Sequence, residues 1–319
     1  MKRHILTVAF LAGMGFLSTA AFAQQACIPT NMNGSVFNII CPQTCIPVHF
    51  QVPHVKNSSD YMVMSIPYAP HTWVTPGGNE PTEIYVDDKF SHLLSLPFTV
   101  CFYGSLYNNF VIGSNGVVSF DQSQADCNND YRLDFGPATP GVPQPIPHVG
   151  AGTCNQTNDR KYPPLSIMGP YHDLNPSVTA TTPDRKVEWR VEGVAPCRKL
   201  VVSFYHIALY GDINSVNTSQ IVVHESTGII DVFIENKRLD QSGGNPWNAN
   251  FAILGVQKDN VTAVPVAGKN CSVWQESNTG YRFLPSGAGS KFLVAELVDF
   301  SGNVIATADT STVTPGLLD

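Results

Sequence analysis

Apolar and polar residues alternate with a period of two along much of this chain, the spacing of strands that bury one face. Lys186-Val-Glu-Trp-Arg-Val-Glu192 is the clearest case. Val187, Trp189 and Val191 alternate with charges, which predicts a strand with one wet face and Trp189 turned to the core, ended by Gly193 and Pro196. In 200–209, Val201, Val202, Phe204, Tyr205 and Ile207 place apolar groups on both faces, the pattern of a central buried strand. Two hairpins are predicted. Ile221–Glu225 and Ile229–Glu235 flank Ser226-Thr-Gly228, and Asn109–Ile112 and Val117–Phe120 flank Gly113-Ser-Asn-Gly116, with its Asn-Gly turn signal. Further strands are predicted at 95–103, 251–257 and 281–284. No stretch beyond residue 23 keeps a 3.6-residue apolar period for three turns, so the fold class is mainly β, an antiparallel sandwich-like domain.

Composition narrows this picture. Among 319 residues, Gly 25 and Pro 24 supply many turns, while only 13% are charged, about half the usual fraction. A formal net charge of −7 excludes nucleic acid and anionic membrane as partners, since both need a basic face. Lys2 and Arg3, the apolar Ile5–Phe16 and Ala21-Phe-Ala23 read as a signal peptide over 1–23. Gly13, Gly15, Ser18 and Thr19 break the apolar run well short of the ~20 residues of a span. No membrane-spanning segment is expected after its removal, and losing Lys2 and Arg3 takes the charge to about −9.

The expected organisation is the signal peptide, a Cys/Pro-rich lead-in over 24–60 with a short strand at 48–55, a β domain over 61–285, and 286–319 as linker and start of a second β-sandwich module. That last part is an incomplete C-terminal hairpin, Lys291–Asp299 with Val304–Ala308, and implies a longer parent chain. Residues 122–165, dense in Asp, Asn, Gly and Pro, read as an insertion rather than core. All eight cysteines fall in the exported part: Cys27, Cys41, Cys45, Cys101, Cys127, Cys154, Cys197 and Cys271. An even count in an exported chain points to structural disulfides, with the pairing left open. Cys41 and Cys45 lack the second pair that a zinc site needs.

Nucleophile elbows, zinc-protease helices, phosphate loops and dinucleotide fingerprints are all missing. Asp87-Asp88 reads as a solvated turn, because adjacent strand residues face opposite ways. In Tyr171-His-Asp-Leu-Asn175, Asp173 and Asn175 are candidate calcium ligands, against the plainer reading of a turn capped by both side chains. His172 and Asp173 are the one candidate catalytic pair, without a nucleophile to serve. Asp126, Asn128, Asn129 and Asp130 offer hard oxygens without EF-hand spacing. Trp247, in Gly-Gly-Asn-Pro-Trp-Asn, is the loop aromatic best suited to stack on a sugar.

Several blocks, taken in order, resemble a nidogen-like (NIDO) domain: Leu96–Gly104, Val111-Ile-Gly-Ser-Asn-Gly-Val-Val-Ser-Phe120, Ile167-Met-Gly-Pro-Tyr-His-Asp173, Leu200–Phe204, Ile221–Val232, Ala252–Gln257 and Tyr281-Arg-Phe283. The Ser-Asn-Gly hairpin is the most specific, and the resemblance covers roughly 61–285. The version here is similar to one in large exported surface proteins of Gram-negative bacteria. The resemblance implies cell–matrix adhesion and carries no catalytic residues. The expected function is a secreted or cell-surface adhesion module, non-enzymatic, needing no cofactor unless calcium, with extracellular proteins or glycans as partners. The alternative is a carbohydrate-binding protein using Trp247, calcium-assisted, and behind it an extracellular hydrolase.

Overall fold

The computed structural model describes residues 56–57, 59–129, 144–150, 154, 162–242, 250–286, 291–292, 295–298 and 303–308. In chain order the strands are β1 Lys56–Asn57, β2 Asp60–Ile66, β3 Leu94–Phe102, β4 Ser105–Gly113, β5 Val117–Ser119, β6 Ser166–Tyr171, β7 Leu174–Asn175, β8 Lys186–Glu192 and β9 Lys199–Leu209. They continue with β10 Val216–His224, β11 Ile230–Lys237, β12 Phe251–Gln257, β13 Ala263–Val273, β14 Glu276–Ser286, β15 Lys291–Phe292, β16 Ala295–Val298 and β17 Val304–Ala308. Among the described residues the helical elements are short 3₁₀ turns, Thr82–Ile84 and Gln122–Gln124. None is long and apolar enough to cross a membrane.

Two antiparallel sheets form the body. The seven-stranded sheet runs β2-β14-β11-β10-β9-β7, with β8 also on β9; the six-stranded sheet runs β13-β12-β6-β5-β4-β3. Their facing sides share one core. Phe204, Ile221, Val232 and Phe283 of the first meet Phe102, Phe110, Phe120, Ile167 and Leu254 of the second, all 0–1% exposed. Removing each such side chain from water is worth roughly 1.5–3 kcal/mol. The sheets approach closely at Gly169 of β6, where an added Cβ would lie 2.7 Å from the Ile221 side chain. Trp189 turns inward as expected and meets Phe110 edge-on at 5.3 Å.

The outer faces are covered as well. On the six-stranded sheet, Val111, Val117, Met168 and Ile253 pack under Phe90, Cys127, Ile146 and Tyr162. Cys127, Ile146 and Tyr162 thus cover a second apolar layer, and Cys127 is joined to Cys154 by a disulfide. On the seven-stranded sheet, Tyr68 and Ile66 lie over Val201, Val222 and Phe233. The segment that follows closes over the charged side of β8, which corrects the wet-face expectation. Glu188 is 0% exposed and Arg190 8%. Thr75 donates to Glu188 from its N–H and its hydroxyl, and Arg190 donates to Glu188, to Glu192 and to the Thr72 carbonyl.

Both predicted hairpins are present, as β10–β11 across the Ser-Thr-Gly turn and β4–β5 across Ser-Asn-Gly. The C-terminal hairpin is present as β16–β17, and β15 pairs with β1. Strand β6, not among the strands expected from sequence, is central in its sheet. The expected strand at 48–55 lies outside the described residues. Cys197 is disulfide-bonded. Cys101 and Cys271, expected in disulfides, are instead buried thiols at 9% and 4% exposure, Cys271 in the apolar layer beside Ile146 and Tyr162. Cys27, Cys41 and Cys45 lie outside the described residues.

Candidate functional site

The Ser-Asn-Gly turn between β4 and β5 organises the end of the sandwich where the loops of both sheets meet. Gly116 has φ +85°, and a Cβ there would sit 2.1 Å from the Pro170 carbonyl oxygen, so only glycine fits. Ser114 pins the 85–90 loop: its N–H donates to the Lys89 carbonyl, and its Oγ accepts from the Lys89 N–H at 3.0 Å. Asn115, fully buried, ties three segments together. Its Nδ2 donates to Asp88 Oδ1 and to the Asn129 carbonyl, both at 2.7 Å, while its Oδ1 accepts from the Leu174 N–H at 2.8 Å. Its own N–H donates to Asn129 Oδ1 and its carbonyl accepts from the His172 N–H.

These bonds bring Asp173 to Asp87 and Asp88, with one oxygen of each carboxylate within 4.8 Å of the others. Asp87 is exposed and the other two half-buried. Lost hydration, then the Asp88 charge, push Asp87 up to about 6. Three crowded carboxylates repel, and the strain is relieved by a proton or by a hard cation with oxygen preference. The Asp173 carbonyl accepts from the Tyr210 N–H at 3.0 Å, so the β9–β10 turn leans on the same group.

Of the residues singled out from sequence, Asp173 joins this cluster and Asn175 does not. The Asn175 Oδ1 accepts from the N–H and Oγ of Ser177, the plain turn cap. Asp87 and Asp88, set aside as a solvated turn, are its partners instead. Asn129 serves as the anchor of Asn115, while Asp126 pairs with His92; Asp130 and Trp247 lie outside the described residues. His172 is 3% exposed, and burial followed by the Lys237 charge hold its ring well below the ordinary histidine range. Its Nδ1 finds no hydrogen-bond partner. Sequence could have flagged Asn115 from the Ser-Asn-Gly turn, but nothing local links residues 87 and 173.

A second polar constellation lies on the outer face of the seven-stranded sheet. Asp231 accepts from Arg282 Nε at 2.6 Å and Nη2 at 2.8 Å, and stands 3.0 Å from His224 Nε2. Burial raises the Asp231 pKa, but the hydrogen bonds from Arg282 and His224 and their charges outweigh it and hold the carboxyl low. This is a buried ionic strut within the sheet.

The fold so described is a mainly β, sandwich-like body of two antiparallel sheets with the Cys127–Cys154 disulfide. Residues 65–143 match a family model described as NIDO related. The matched stretch holds β3 to β5 and includes Asp87, Asp88, Asn115 and Asn129, but not Asp173. No curated protein and no solved structure matches the chain. The nidogen-related match and the disulfide suggest an extracellular module.

Proposed function

We propose that this chain is a secreted or cell-surface interaction module of the cell–matrix adhesion type, acting by binding rather than by catalysis. The observation that carries this reading is the nidogen-related match lying on the strands and the Asn115 turn that shape one loop-bearing end of the sandwich. The test is adhesion of the purified mature chain to surfaces coated with collagen, laminin or fibronectin. Saturable binding supports it. A flat response on all three, or hydrolase activity that Asp173→Ala abolishes, sinks it.

A second reading, calcium-assisted glycan binding, is favoured by the meeting of Asp173 with Asp87 and Asp88. Its test is thermal unfolding in calcium and in chelator at pH 7 and pH 5. Ligand binding to the native state alone raises the melting temperature. The rise should be smaller at pH 5, where Asp87, with a pKa of about 6, is largely protonated. An unchanged melting temperature at pH 7 removes the calcium arm.

A further inference from the structure

At the same end of the sandwich, a pocket of about 570 Å³ is lined by Asp212, Asn214, Arg238, Leu239, Gln241 and Gln275, with Ser215 and Ser242 beside them. Its size suits a small ligand, for which pockets run to about 300–1,000 Å³. Its walls do not suit an apolar one, since Leu239 is the single aliphatic side chain. The β9–β10 turn, the end of β11 and the β13–β14 turn supply the lining, so rigid strand ends position it.

Charge and hydrogen bonding define what the pocket can hold. Asp212 looks like an acidic wall but is spent on architecture. Its Oδ1 accepts from the Asn214 N–H at 3.1 Å, and its Oδ2 from Ser215 Oγ at 2.6 Å and the Gln241 N–H at 2.9 Å. These bonds hold its carboxyl below the ordinary range and tie the 210–215 turn to the 239–242 turn. Arg238 is the opposite case. It is exposed, and among the described residues its guanidinium has no carboxylate partner. Arg238 is the one cationic side chain in the lining, so with Asp212 already bonded to its own turns the pocket favours an anionic ligand. The side-chain amides of Asn214 and Gln275 add donors and acceptors without charge. A fork of guanidinium donors matches a carboxylate in bidentate fashion, and flanking amides match vicinal hydroxyls.

We propose that this pocket binds a carboxylate-bearing saccharide of the uronic-acid class, with Arg238 holding the carboxylate and Asn214 and Gln275 the neighbouring hydroxyls. The proposal rests on the glycan-binding reading and gives it a ligand class. Calorimetric titration of the mature chain with trigalacturonate, and with neutral galactotriose, inorganic phosphate and hexaglutamate as comparators, tests it. Trigalacturonate should bind, weaken with added salt, and lose at least tenfold in affinity in Arg238→Gln. Arg238 is exposed, so that variant should keep the parent melting temperature. Gln275→Ala should lose several-fold. No trigalacturonate binding, undiminished binding in Arg238→Gln, or equal binding of phosphate or hexaglutamate overturns the proposal. Neutral glycans binding where trigalacturonate does not would overturn it while leaving the glycan reading standing; a blank for every saccharide would remove both.

Discussion

Lys237, at the end of β11, is a costly buried charge whose removal the fold should welcome. It is 2% exposed, and its Nζ donates to the Asn250 carbonyl at 3.3 Å and lies 5.2 Å from the Trp274 ring centre. Burial, then the charge of Lys269, pull its pKa down from 10.5 to about 7. At ~1.4 kcal/mol per pH unit, that shift corresponds to about 5 kcal/mol lost by the folded state near neutral pH. The hydrogen bond returns ~1 kcal/mol, and the cation–π contact about 1 kcal/mol in the fraction that is charged. Lys237→Met keeps the aliphatic stem and removes the amine, so it should stabilise the protein by about 3 kcal/mol at pH 6–7. The sign with pH follows from linkage. Between about 7 and 10.5 the unfolded chain holds a proton on this lysine that the folded chain does not, so parent stability rises with pH there. The variant lacks that rise, and its advantage should shrink steadily toward pH 10. Denaturant unfolding of both proteins at half-unit steps from pH 6 to 10 reads this directly. A pH-independent difference, or a variant less stable throughout, would refute the reasoning.

Three other perturbations follow from the same contacts. Replacing Cys127 and Cys154 together by serine opens a link spanning 27 residues and should cost about 3 kcal/mol in denaturant unfolding, since Cys127 also packs in an apolar layer. Asn115→Ala strands the Leu174 N–H and the Asn129 carbonyl in a buried site and should cost about 3 kcal/mol or more, visible as a lowered midpoint; a loss under 1 kcal/mol would show that Asn115 is not the tether. Arg282→Met leaves Asp231 buried at 4% exposure without its main partner and should cost ~3–5 kcal/mol at pH 7, with Asp231→Leu added in the double variant recovering most of it. Because Asp231 is held low when paired, the parent should lose this stability on acidification through that depressed pKa, and Arg282→Met should not.

The strands were legible in the sequence because their signal is local. Val187, Trp189 and Val191 each declare a face by position alone, and β8 forms where that alternation places it, β9 where a long apolar run does, and β10–β11 about its Gly-containing turn. Strand β6 was missed because Ser166-Ile-Met-Gly-Pro-Tyr171 is buried on both faces and so shows no alternation, while its Gly-Pro reads as a turn. The wet face of β8 was misread for a related reason. A period of two tells which residues share a side, but not what later folds over that side; Thr72 and Thr75 lie more than a hundred residues from their partners Arg190 and Glu188. The acidic group is the same problem at the site. Asp173 was picked out for its neighbours in sequence, yet its neighbours in space are Asp87 and Asp88, brought there by one asparagine on a third segment.

Both sheets spend their faces on packing, and this decides where recognition can occur. The inner faces meet each other, the outer face of the six-stranded sheet lies under Ile146 and Tyr162, and that of the other lies in good part under residues 66–75. Much of what remains for a partner lies at the loop ends, beside exposed strand side chains such as Met62, Met64 and Leu106. At one end, the Asn115 turn, the acidic group and the Arg238 pocket are joined through a single turn: Tyr210 donates to the Asp173 carbonyl, and two residues on Asp212 frames the pocket. A cation drawn to Asp87, Asp88 and Asp173 would stiffen the segment that carries the Tyr210 contact, and so lower the entropy lost when Asn214 and Arg238 close on a ligand. Calcium and an acidic saccharide should therefore bind with positive cooperativity, and the coupling must be reciprocal. If each binds with the same affinity whether or not the other is present, the two sites are mechanically separate despite the shared turn.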